Sequence, residues 1–86
     1  MPPAELLARF QGMADARRLT IMRVLEGLTA QEIATRLAIG LTTLLHHLDV
    51  LRESGLVSVS GGRRRTYRLR RVALTELEHT LERYLL

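Results

Sequence analysis

The chain has 86 residues and a formal net charge of +4, with every one of its 13 basic residues an arginine. This length allows one domain with a modest core, and the absence of cysteine excludes disulfides, thiol catalysis and thiolate metal sites. No apolar run approaches the ~18 residues of a membrane span and the first residues do not resemble a signal peptide, so we expect a cytoplasmic protein.

The first quarter of the chain predicts two helices. A short helix is expected over 4–11. A second begins after Asp15, whose side chain is a favourable N-cap, and its apolar residues recur at helical spacing as far as Glu26. Gly27 can adopt the left-handed conformation that ends many helices, so we expect it to end this one.

Two more helices are predicted before residue 56. Thr29 and Glu32 have the spacing of a capping box, which predicts a third helix from about residue 30. This helix must be short because Gly40 follows soon after. A fourth helix is expected over 41–54, with Gly55 at its end.

The remaining segment predicts a β-hairpin followed by a last helix. Residues 56–60 and 64–69 alternate between apolar and polar side chains and flank a Gly-Gly pair, as hairpin strands do. The last helix, 72–86, has leucines at positions 74, 77, 81 and 85. A leucine stripe on a terminal helix is typical of a dimer interface.

The positive charge is concentrated in the hairpin. Residues 58–71 contain six arginines and no acid, whereas the rest of the chain has seven arginines and nine acidic residues. Such a segment is either a solvated surface ribbon or a surface that binds a polyanion. The absence of any acid favours the second interpretation.

Four segments, 14–21, 28–34, 46–57 and 63–69, resemble the ArsR-type family of bacterial transcription regulators. The resemblance implies a mainly α fold with a small β-hairpin, a winged helix-turn-helix with the order α-α-α-α-β-β-α over a single domain, 1–86. It also implies a homodimeric repressor that binds double-stranded DNA. The fourth helix would enter the major groove, and the hairpin, or wing, would lie along the backbone or minor groove.

These considerations give three sets of expected site residues. The fourth helix, which is the expected recognition helix, is expected to contact bases through Thr42, Thr43, Leu45 and His46. The wing is expected to bind phosphates through Arg63, Arg64, Arg65 and Arg68. The dimer interface, formed by helices 4–11 and 72–86, is expected to include Leu6, Phe10, Leu77, Leu81 and Leu85.

The recognition helix departs from the family pattern at four positions. Gly40, Leu41 and Leu45 stand where the family usually has a Ser cap and polar Gln or Ser residues, and Asp49 stands where it often has lysine. The two leucines could pack under a neighbouring helix, contact thymine methyl groups, or form a protein-binding patch. Asp49 could accept a hydrogen bond from a cytosine amine or pair with Arg52 or Arg23. The alternative function is therefore a winged-helix module that binds protein, or nucleic acid without operator specificity.

Other chemistry has little support in the sequence. His46 and His47 point about 100° apart on a helix, which favours a packed His47 and an outward His46. His79 and Glu82 match half of a zinc site known in the family, and half a site leaves the ion under-coordinated. We therefore expect no metal, no cofactor and no enzymatic activity, and the sequence indicates no effector.

Overall fold

The computed structural model describes residues 3–86, so the first two residues of the predicted domain lie outside it. Five helices and a three-stranded antiparallel sheet make up the fold. In chain order these are α1 (Ala4–Met13), α2 (Ala16–Arg23), β1 (Glu26–Leu28), α3 (Ala30–Leu37), α4 (Leu41–Glu53), β2 (Val57–Ser60), β3 (Thr66–Leu69) and α5 (Arg71–Leu85). The predicted mainly helical fold with a hairpin is confirmed, with one strand added.

The added strand is β1, which corrects the expected end of the second helix. That helix stops at Arg23, and Glu26–Leu28 pairs with β3, so the sheet order is β1-β3-β2. Gly27 does have a positive φ, 76°, but this conformation occurs at a bulge in β1 rather than at the end of a helix. The three residues of β1 have no alternating polarity, so their sequence does not predict a strand. The strand forms because it pairs with a distant segment of the chain.

Local capping signals fix the helix boundaries. The Asp15 carboxylate accepts hydrogen bonds from the backbone N–H groups of Arg17 and Arg18, and the bond from Arg18 is the main cause that lowers the pKa of this carboxyl. Thr29 and Glu32 form the predicted capping box. Gly55, with φ of 81°, ends α4 in a Schellman arrangement in which the next N–H bonds back to the last turn.

One apolar core holds α2, α3, α4 and the sheet together. Its fully buried side chains come from three helices and the segment that enters β2, and they are Ile21, Ile33, Leu44, Leu48, Leu51 and Leu56. Val57 and Tyr67 contribute from the inner face of the hairpin. The hairpin is therefore anchored to the body at its base, while residues 61–65 project from it.

The two terminal helices pack against each other at one end of the molecule. Arg9 of α1 donates to the Ala73 carbonyl and forms an ion pair with Glu76 of α5, at 3.3 Å in both contacts. The radius of gyration is 13.6 Å, whereas a compact chain of this length is expected near ~12 Å. The excess reflects the last two turns of α5, in which no residue is buried.

Candidate nucleic-acid interface

Helix α4 has one buried and one exposed side. Leu44, His47, Leu48 and Leu51 face the core. The four residues predicted to contact bases, Thr42, Thr43, Leu45 and His46, are all exposed. A helix that is anchored on one side and free on the other can enter a groove of about 12 Å without disturbing the core.

The start of α4 is open to an anion. Its N-cap is Gly40, which supplies no side chain to accept hydrogen bonds from the first-turn N–H groups. The first turn contains no acidic residue, and among residues 3–86 no heavy atom other than those of Gly40 and its chain neighbours lies within 4 Å of the position that a Gly40 Cβ would occupy. Phosphate oxygens can therefore accept from these N–H groups.

His47 is buried, as predicted, and Arg18 explains how. The Arg18 Nη1 lies 3.4 Å from His47 Nδ1, and the same guanidinium donates to the carbonyls of Gly12 (2.6 Å) and Gln11 (3.4 Å) at the end of α1. This side chain joins α1, α2 and α4 at one point. His46, next along the helix, is exposed and free to contact a ligand.

The tip of the wing is a tight loop that presents arginines. Gly61 has φ of 88°, and a Cβ there would collide with the Arg64 carbonyl oxygen, so the loop requires glycine. Arg63 and Arg65 are exposed and, within residues 3–86, make no ion pair or side-chain hydrogen bond. These two side chains are the cations most readily available to phosphate.

Arg64 differs from its neighbours because it binds an acid of the same chain. Its Nη2 lies 3.1 Å from Glu32 Oε1, in the first turn of α3. The same oxygen accepts from the hydroxyl (3.0 Å) and the N–H (3.3 Å) of Thr29. The bond from Arg64, followed by those from Thr29, lowers the pKa of the Glu32 carboxyl. The sequence identified the capping box but not this contact, which spans 32 residues.

The other arginines near the wing lie along the strands. The Arg68 guanidinium covers Gly27 of β1, occupying the place where any larger residue would put its Cβ. Arg70 donates to the Gly55 carbonyl at 2.7 Å. Arg68 is thus exposed but spread across the sheet rather than at the loop.

The two unusual leucines of α4 are not packed under another helix. Leu41 is 41% exposed and Leu45 is 40% exposed, so the interpretation that a neighbouring helix covers them is wrong. Asp49 is also exposed, and within the described residues it has no ion pair with Arg52 or Arg23. The surface of α4 is therefore partly apolar.

The predicted interface residues on the terminal helices divide into two groups. Leu6 and Leu77 are buried within the single chain, where α1 meets α5, so they have almost no surface left for a partner. Phe10 and Leu85 are exposed, and Leu81 is half-buried. Leu7, Val72 and Tyr84, which were not in the predicted set, add exposed apolar surface to these helices.

His79 and Glu82 are exposed on α5, and no group of three or more potential metal-ligating side chains occurs among residues 3–86. Over the same residues, no helix has the length and apolar character needed to cross a bilayer.

Comparison with known proteins places these features in a family. A family model described as a helix-turn-helix domain matches residues 13–60. An ArsR-like transcriptional regulator from Rhodococcus sp. RHA1 is 33% identical with a TM-score of 0.88, over 94% of this chain and 79% of that one. HlyU from Vibrio cholerae is 32% identical with a TM-score of 0.71, over 91% of each chain.

A third solved structure is a homodimeric winged helix-turn-helix DNA-binding domain from Mycobacterium bovis, described as a possible ArsR-family regulator. It is 26% identical with a TM-score of 0.76, over 90% of this chain and 75% of that one. No curated protein sequence matches the chain. The family model and the Rhodococcus relative together show that the chain belongs to the ArsR-type winged helix-turn-helix family of DNA-binding transcription regulators.

Proposed function

We propose that residues 1–86 form a single domain that acts as a homodimeric repressor and binds one operator sequence-specifically. The observation that carries this proposal is the exposure of Thr42, Thr43, Leu45 and His46 on a helix whose opposite side is fixed in the core. A row of exposed side chains on a rigid helix is what base recognition in a major groove requires.

The exposed side chains of α4 supply suitable chemistry for bases. The hydroxyls of Thr42 and Thr43 can donate to or accept from base edges, and the His46 imidazole can donate to a purine acceptor. The backbone N–H groups at the start of α4 bind an adjacent phosphate and set the depth of the helix in the groove.

The wing supplies affinity that does not depend on sequence. Arg63 and Arg65 bind phosphates directly, while Glu32 holds Arg64 in an ion pair within the chain. Arg68 adds positive charge along β3. Each phosphate that the protein neutralises adds about 0.9 to the slope of log affinity against log salt.

Dimerisation is supported by the exposed apolar surface of α1 and α5. Phe10, Leu7 and Leu85 are exposed although they are large and apolar, and no residue in the last two turns of α5 is buried within the described part of the chain. The Mycobacterium bovis relative is described as homodimeric. A two-fold dimer would bind half-sites about one helical turn apart, roughly 34 Å. Phe10→Asp should convert the dimer to a folded monomer, measured by sedimentation equilibrium and circular dichroism.

The central experiment is a selection of bound duplexes from a randomised library, followed by gel-shift titrations. We expect an enriched palindromic sequence. His46→Ala should change which bases are enriched, whereas Arg63→Ala should weaken binding to all duplexes about equally. Repression is tested with a reporter under a promoter that contains the enriched site. Equal affinity for every duplex would instead support the non-specific module, and no affinity for DNA would support a protein-binding module.

A further inference from the structure

Leu41 and Leu45 form an apolar patch on the exposed side of α4. Each leaves about two fifths of its surface in water. They are four residues apart, so they lie within about 40° of each other around the helix and about 6 Å apart along its axis. Thr42 and His46 have the same spacing and form the neighbouring polar row.

The patch lies outside the apolar core of the chain. The buried leucines of α4, Leu44, Leu48 and Leu51, are at most 1% exposed and already fill the core side. Two large apolar side chains exposed side by side on a helix that must meet a ligand indicate that the ligand offers an apolar group at this point.

We propose that Leu41 and Leu45 contact the C5-methyl groups of two thymines about two base steps apart, so that each operator half-site contains a short A·T run. This inference rests on the proposed function, because it assumes that α4 enters the major groove. The thymine methyl is the one apolar group that a base presents there, and leucine can shield it from water.

Charge favours DNA as the occupant of this patch. The first turn of α4 has no acid and presents free N–H groups, and within residues 3–86 the wing arginines Arg63 and Arg65 have no acidic partner. Asp49 follows Leu45 in the same row, about 6 Å further along the axis, and Glu53 follows one turn later, so the acids of this side lie towards the end of α4 and the leucines at its start.

The spacing of the two leucines suits thymines about two base steps apart. Their separation of about 6 Å along the helix compares with a rise of about 3.4 Å per base step. The pair therefore reaches across two neighbouring steps. The polar row, Thr42 and His46, contacts the hydrogen-bonding edges beside them.

The test removes only the methyl groups. Each thymine of the duplex enriched by the full chain is replaced by deoxyuridine, and affinity is measured by gel-shift for the unmodified protein, Leu41→Ala, Leu45→Ala and the control Leu19→Ala, an exposed leucine on α2. For the unmodified protein we expect one short run at which each replacement weakens binding about fourfold. Replacement should have no effect at the corresponding thymine in the matching leucine variant, and Leu19→Ala should behave as the unmodified protein.

The outcomes separate this inference from the proposed function. If no sequence is enriched, sequence-specific regulation is refuted and this inference with it. If a sequence is enriched but deoxyuridine weakens binding nowhere, or weakens the leucine variants equally, the methyl contact is refuted and the regulator stands. If both leucine variants select the original sequence with unchanged affinity, the patch lies outside the DNA interface, as a protein-binding surface would.

Discussion

Replacing Glu32 with glutamine should strengthen DNA binding by releasing Arg64. In the free protein Glu32 Oε1 holds the Arg64 guanidinium at 3.1 Å, so one wing cation is neutralised within the chain. Glutamine removes the negative charge but can still occupy the third position of a capping box, so the start of α3 is retained. Arg64 then becomes available to phosphate, like Arg63 and Arg65.

The size of the effect follows from counterion release. Affinity falls with salt, so the slope of log affinity against log salt is negative. One additional phosphate contact per protomer makes this slope steeper by about 0.9, or by about 1.8 for the proposed dimer. Between 50 and 200 mM salt, the affinity of Glu32→Gln should therefore fall about twelvefold more than that of the unmodified protein. Because the ion pair is exposed, we expect little change in the folding stability of the variant.

Fluorescence anisotropy of a labelled duplex over this salt range measures the slope. Glu78→Gln, which removes an exposed carboxylate from α5, is the matched control and should leave the slope unchanged. In the Arg64→Ala background, Glu32→Gln should also leave the slope unchanged. An unaltered slope in the single variant, or an equal increase in the Arg64→Ala background, would refute the argument that Glu32 restrains this arginine.

Three further predictions concern stability. Gly61→Ala should cost about 1–3 kcal/mol in thermal unfolding, since alanine is strained at a positive φ and meets the next turn of the loop; unchanged stability would contradict the loop geometry. Asp15→Ala should reduce the loss of stability in acid: the hydrogen bond from the Arg18 N–H lowers the folded pKa of Asp15, so its stabilisation is present above the unfolded pKa and disappears as pH falls through the folded one. Urea titrations at neutral and acidic pH should therefore differ less for this variant than for the unmodified chain. Leu48→Ala should destabilise by about 2–5 kcal/mol, whereas Leu45→Ala should stay within about 0.5 kcal/mol; similar denaturation midpoints for the two would refute the assigned faces of α4.

The features predicted correctly from the sequence depend on neighbouring residues. Asp15 caps α2, and Thr29 with Glu32 starts α3, because a side chain and the N–H groups it binds are two or three positions apart. Gly55 ends α4 for the same kind of local reason. Such local signals predicted the helices. The hairpin was likewise predicted from a local pattern, the alternating polarity on both sides of the Gly-Gly pair.

The features that were missed depend on segments distant in the chain. Strand β1 forms because β3, some forty residues later, offers it an edge, and the sequence of Glu26–Leu28 has no pattern of its own. The contact between Glu32 and Arg64 likewise requires the wing to fold towards α3. The burial of Leu6 and Leu77 depends on how α1 and α5 cross, which no periodicity in either helix specifies.

The Arg18 side chain has a consequence for how the proposed dimer could measure distance along DNA. It ties the end of α1, a helix of the expected subunit contact, to His47 on α4, the helix proposed to enter the major groove. The connection between the two copies of α4 in the proposed dimer would then be short and stiff, and it would hold them at a fixed separation. Inserting one base pair between half-sites moves them about 3.4 Å apart and rotates them by about 34–36°. A dimer whose α4 helices have a fixed separation cannot follow that change, so operator spacing would be as much a part of the recognised signal as the bases themselves.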